Sequence, residues 1–179
     1  GADIITLWDA STAGSATVVT GNGGGDEFRF EDGSGNALVD NEFTSVEADA
    51  INITDFSTVD DVVSVDISDA TSSLIGSVAS GSYDPANFGL ALITGTTLND
   101  VTNQAGFISA LGSVTASDGE KGFVLIENTA GSQAGLYFVS ITGSQSGVLT
   151  FAADANGDQV QLVAVIDITG GVGSLAVAN

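Results

Sequence analysis

Cysteine and histidine are both absent from this chain of 179 residues, and proline occurs once, at Pro85. The missing cysteine excludes a disulfide scaffold. With neither residue present, zinc and copper lose the side chains they favour, and a serine nucleophile has no imidazole base beside it. Positive charge is nearly as scarce. Arg29 and Lys121 stand against 23 Asp and Glu, for a formal net charge of −21. A field of that sign repels nucleic acid and anionic membrane surfaces over about a Debye length, ~10 Å, so neither is expected as a partner. Long apolar runs are missing too. No stretch approaches the ~20 residues of a membrane helix, so no membrane insertion is expected, and the first residues lack the basic start and apolar stretch of an N-terminal signal peptide.

What is present is a core. At 43% hydrophobic the protein has enough Val, Ile, Leu and Phe to fold, so it is not a disordered acidic tail. The pattern is mostly of period two. Runs such as "EFRF", "DAINIT", "DVVSVDIS", "LALIT", "GFVLIEN", "GLYFVSIT", "GVLTF" and "VQLVAVIDIT" are β-branched or aromatic and are separated by Gly, Asn, Asp and Ser turns. In "DDVVSVDIS" the alternation puts Val63, Val65 and Ile67 on one face and Ser64, Asp66 and Ser68 on the other. The fold class expected is all-β with one short α-helix. That helix is read near 98–111, where Val101, Ala105, Ile108 and Leu111 recur at helical spacing, with Thr97 or Asn99 as candidate N-cap and Gly112 as the stop. The last third reads as an antiparallel meander of "GFVLIEN", "GLYFVSIT", "GVLTFAAD" and "QVQLVAVIDIT".

The stretch Gly21 to Phe30, "GNGGGDEFRF", sets glycines and acids directly before a Phe-x-Phe strand. Against the repeat G-G-x-G-x-D-x-U-x it matches at Gly21, Gly24, Asp26 and Phe28, with Asn22 in the place of the second glycine. Glycines permit left-handed turns in which carbonyls and the Asp carboxylate can converge on a Ca²⁺ ion while Phe28 points inward. A P-loop would need a Lys that is missing. Worn copies flank it. "GADIITL" fits the template entered midway, with Gly1, Asp3 and Ile5 at the fourth, sixth and eighth places, and "STAGSATVV" keeps Gly14 and Val18 but has Ala16 where the Asp belongs.

These motifs resemble those of the RTX, or haemolysin-type calcium-binding, proteins. The resemblance continues through Ile53, Asp55 and Phe56, then Asp61, Val63 and Val65, which look like the junction where the repeats end, and the tail from "GFVLIEN" onward is similar to the family's C-terminal target region. It implies a parallel β-roll of calcium-bridged turns, continuing into a β-sandwich or meander, and export by type I secretion to fold outside the cell. On that basis residues 1–67 are expected to form degenerate repeats and a roll-like segment, and 68–179 a C-terminal β-rich capping or assembly domain.

The metal candidates are Asp3, Gly21, Gly24 and Asp26 in the repeats, with Asp55, Asp60 and Asp61 beyond them. The last three read equally as ligands or as the solvated approach to a strand. "DANGD" places Asp154, Asn156 and Asp158 as in the start of an EF-hand loop, but Gln159 and Val165 stand where such a loop needs Gly and Glu, so a plain hairpin turn competes with a calcium site. Trp8, Tyr83 and Tyr137 are candidate platforms for a cell-surface polysaccharide, although Trp8, at a strand end beside the repeats, reads rather as a packing residue. No carboxylate pair is specified for glycoside chemistry. The reading is a non-enzymatic, secreted calcium-binding structural protein that self-assembles, as a homo-oligomer or polymer, into a surface layer, matrix or filament. The alternatives are the C-terminal secretion and folding module of a larger RTX toxin, protease or lipase, or a carbohydrate-binding adhesin module.

Overall fold

The structure, a computed structural model, describes residues 1–7, 17–30, 50–65, 70, 72, 75–141, 145–148, 159–169 and 177–178. The polypeptide begins by winding between two sheets. Strands β1 (Ile4–Leu7), β3 (Glu27–Phe30) and β5 (Val62–Val65) lie side by side and parallel in one sheet. Strands β2 (Val18–Val19) and β4 (Ile51–Ser57) pair in parallel in a second. Visiting the sheets in strict alternation is the path of a parallel β-roll. Period two then decides which side chains meet. Ile5, Phe28 and Val63 share one row and Leu7, Phe30 and Val65 the next, all turned into the space between the sheets, where Phe28 packs 5.8 Å from Phe56.

Both roll sheets are extended by strands from the other end of the sequence. β13 (Val177–Ala178) adds to β5 and β12 (Gln159–Thr169) adds to β4, each in parallel. Past β12 the second sheet continues through β10 (Gln133–Ser140) and β9 (Lys121–Glu127), antiparallel, and then β7 (Leu90–Thr94) and β6 (Ile75–Ala79), giving seven strands. This sheet is the middle of three layers, which is why its inner strands read as unbroken apolar runs rather than alternating ones. Leu90, Leu92, Phe123, Leu125, Leu136 and Phe138 face the roll's core. On the opposite face Ala91, Ile93, Val124, Ile126, Tyr137 and Val139 pack under helix α1 (Gln104–Leu111) and β8 (Ser113–Ala116), which pairs with β11 (Gln145–Val148).

The all-β class with one short helix is thus the observed one. Two details differ from the sequence reading. The helix starts at Gln104, capped by Asn103, whose Oδ1 accepts the Gly106 N–H at 3.0 Å. Thr97 and Asn99 are not the cap, because Leu98 is tied to Asn128 in a β-bridge and Asp100 accepts the Thr102 N–H at 2.9 Å, closing a turn before the helix. Gly112, at φ 76°, does end it. The meander is also interrupted. β9, β10 and β12 are antiparallel neighbours, but β11 leaves the sheet to pair with β8. The eleven-residue β12 matches β10 along its whole length and so takes the slot that a simple meander would give to β11.

Candidate functional site

Two turns, 20–26 and 58–61, lead from the seven-stranded sheet back to the first sheet, and the segment 1–3 that enters β1 stacks beside them along one edge of the roll. The pairing Ile4↔Glu27↔Val62 places Asp3, Asp26 and Asp61 in a column, each one residue before its strand. Every coil is tied to the next by a carboxylate. The Asp3 N–H donates to Asp26 Oδ1 at 2.9 Å, and the Asp26 N–H donates to Asp61 Oδ1 at 2.8 Å. Asp61 Oδ2 takes a second amide, from Ser57, at 2.8 Å. Asp55 grips the glycine turn from the third coil, its two oxygens accepting the N–H groups of Gly21 at 2.8 Å and Asn22 at 2.7 Å. These charge-assisted bonds satisfy amides that a turn would otherwise leave open.

The glycines serve close approach. Gly24 has φ 130°, and a side chain there would run into the Gly1 carbonyl. A Cβ on Gly21 would lie 2.5 Å from Asp26 Oδ2. That oxygen is the feature the hydrogen bonds leave unexplained: Asp26 is 2% exposed, and Oδ2 has no hydrogen-bond partner. Asp3 and Asp60 are exposed, and they line one cleft with Asp26, Gly25, Glu27 and Arg29. In it the Arg29 guanidinium, 2.9 Å from Glu27, and the Ser64 hydroxyl together hold the Glu27 carboxyl below its usual range.

The structure therefore brings Asp3, Gly21, Gly24, Asp26, Asp55, Asp60 and Asp61 to one edge. Asp154, Asn156 and Asp158 lie outside the described residues, as does Trp8. Among the described residues no three acidic side chains converge closely enough to hold a metal by themselves, so a cation here would draw on backbone carbonyls as well. Tyr83 and Tyr137 are not sugar platforms, which corrects the expectation. Both are buried in the core, Tyr137 stacked on Phe107 with centroids 3.8 Å apart and its hydroxyl donating to the Val101 carbonyl. Sequence reasoning missed the second use of the aspartates, as acceptors for amides of the neighbouring coil. The signal was available: an acid immediately before each of three strands, in "AD-I", "GD-E" and "DD-V".

No protein-family model, curated protein or solved structure matches the protein.

Proposed function

We propose that this is a secreted calcium-binding structural protein, whose stacked turns take calcium and which self-assembles as part of a cell-surface layer, extracellular matrix or filament. The observation that supports calcium is Asp26 Oδ2, a buried carboxylate oxygen with no donor, set at the edge where the acids gather. Leaving such an atom unpaired is costly. A divalent cation answers it and offsets part of the net charge of −21. Asp26 would supply the carboxylate and the carbonyls of the 20–25 turn the neutral oxygens, with Asp3 and Asp60 at the approach. Extracellular modules of this kind bind calcium at ~10⁻⁴ to 10⁻³ M, a level met outside cells.

Self-assembly is supported by β1 and β2, which among the described residues are the outermost strands of the two sheets on the roll side. β1 and β2 contain no charged residue and no proline, the usual guards of a sheet edge, and they carry Ile4 and Val18, 61% and 63% exposed. Electron microscopy and thermal melts of the purified protein, with calcium and with chelator, test the proposal. Calcium should raise the melting temperature and change the assembly state. A protein indifferent to calcium in both would refute it.

A further inference from the structure

We propose that Asn22 is a self-modification site, at which the folded protein converts the Asn22–Gly23 link to aspartyl and isoaspartyl forms without an enzyme. The reaction is an intramolecular acyl transfer. The Gly23 backbone nitrogen gives its proton to a solvent base and attacks Asn22 Cγ. A bond forms between that nitrogen and Cγ, the Cγ–Nδ2 bond of Asn22 breaks, and ammonia leaves with one proton from solvent. Water then opens the resulting succinimide at either carbonyl, giving Asp through one and isoAsp, with the backbone rerouted through the former side-chain atoms, through the other. No electrons are transferred, and the protein gains one negative charge.

Three observations place this chemistry at Asn22. Its follower is an exposed glycine, with nothing within 4 Å of where a Cβ would stand, so no side chain shields the attacking nitrogen. Asn22 is itself exposed and held at φ 68°, a left-handed conformation fixed by the Asp55 grip on its N–H and that of Gly21. Its own carboxamide is barely restrained, donating to the Thr20 carbonyl at 3.4 Å.

The other asparagines among the described residues lack this combination. Asn52 lies within β4. Asn103 Oδ1 caps the helix, and Asn128 Oδ1 accepts the N–H groups of Ser132 and Gln133 at 2.9 and 3.1 Å. The Asn87 amide is held by Asp84 at 2.6 Å, and Asn99 precedes Asp100 rather than glycine.

The product changes the roll's edge. A carboxylate at 22 sits beside Asp55, and an isoaspartyl link lengthens the backbone by one methylene within the two-pronged hydrogen bonding that Asp55 makes. The inference does not depend on calcium.

The test incubates the intact folded protein at mildly alkaline pH and follows each asparagine by peptide mapping, with fragmentation that tells Asp from isoAsp. Mapping also separates Asn22 from Asn156, the other asparagine of the sequence followed by glycine. The expected result is conversion of the Asn22 peptide, with the mass gain of NH₂ replaced by OH and an isoaspartyl product, ahead of those bearing Asn52, Asn87, Asn99, Asn103 and Asn128. Asn22→Gly, which tolerates a positive φ and fits the repeat, should lose the signal from that peptide and keep the fold. An Asn22 peptide that stays unmodified, or converts no faster than those five, would overturn the proposal.

Discussion

Replacing Asp61 by alanine removes one carboxylate and strands two amides, the buried one of Asp26 and the half-buried one of Ser57. Asp61 is 5% exposed, and its oxygens accept the N–H groups of Asp26 and Ser57, both at 2.8 Å. An unsatisfied buried donor costs about 1–3 kcal/mol, so Asp61→Ala should destabilise by about 1–4 kcal/mol, the buried Asp26 amide contributing most and the half-buried Ser57 amide less because water reaches it. At about 2–4 °C per kcal/mol for a protein of this size, 3 kcal/mol corresponds to a fall of about 6–12 °C in Tm. Asp61→Asn keeps one acceptor oxygen but turns an NH₂ toward the second amide, so it should lose about half as much. The control is Asp60→Ala, next in sequence and also an aspartate but exposed, which should stay within about 0.5 kcal/mol of wild type. Thermal and urea melts of the four proteins decide the matter. If Asp60→Ala and Asp61→Ala were equally destabilised, or neither were, the column of carboxylates would not be what ties the coils together.

Gly21→Ala should cost about 1–3 kcal/mol, because its Cβ would lie 2.5 Å from Asp26 Oδ2 and 3.1 Å from the Phe28 ring. In an Asp26→Ala background much of that cost should vanish, and a double-mutant cycle in urea would measure the coupling. Two glutamates should respond to pH in opposite senses. Arg29 and Ser64 lower the Glu27 carboxyl from its ordinary 4.5, so its contribution is present above that value and lost as pH falls through the lower folded one. Burial raises Glu127, so its contribution is present below the ordinary value and lost as pH rises through the folded one. In pH-dependent melts Glu27→Gln should therefore weaken the protein at neutral pH and not in acid, by under about 1 kcal/mol as for an exposed pair. Glu127→Gln should strengthen it at neutral pH.

The roll was legible because its repeat fixes both period and register. Setting Asp3 in line with Asp26 from the template gives the pairing Ile5↔Phe28 that the structure has, while Asp61 and Val63, read only as part of the junction segment, continue the same register in the structure. The inward faces followed from alternation. Beyond the roll the sequence says less, because long-range pairing is not written in local pattern. "GVLTF" and "VQLVAVIDIT" are both good strands, and only competition for the edge of β10 decides which one occupies it. The helix start was missed because Thr97, Asn99 and Asn103 are all competent caps, and tertiary contacts at Leu98 and Asp100 choose among them. At the site, residue type and spacing identified the acids. They did not reveal that both carboxylate oxygens of Asp55 and Asp61, and one of Asp26, are already engaged by amides, which leaves the buried Asp26 Oδ2 as the distinctive atom.

That atom gives the most direct test of the account. Calcium titrated into metal-stripped protein, followed by thermal melting and calorimetry, should raise the Tm of the wild type with saturation at ~10⁻⁴ to 10⁻³ M, and should raise that of Asp26→Asn far less. A wild-type melting temperature unmoved by calcium, or an equal rise in Asp26→Asn, would contradict it.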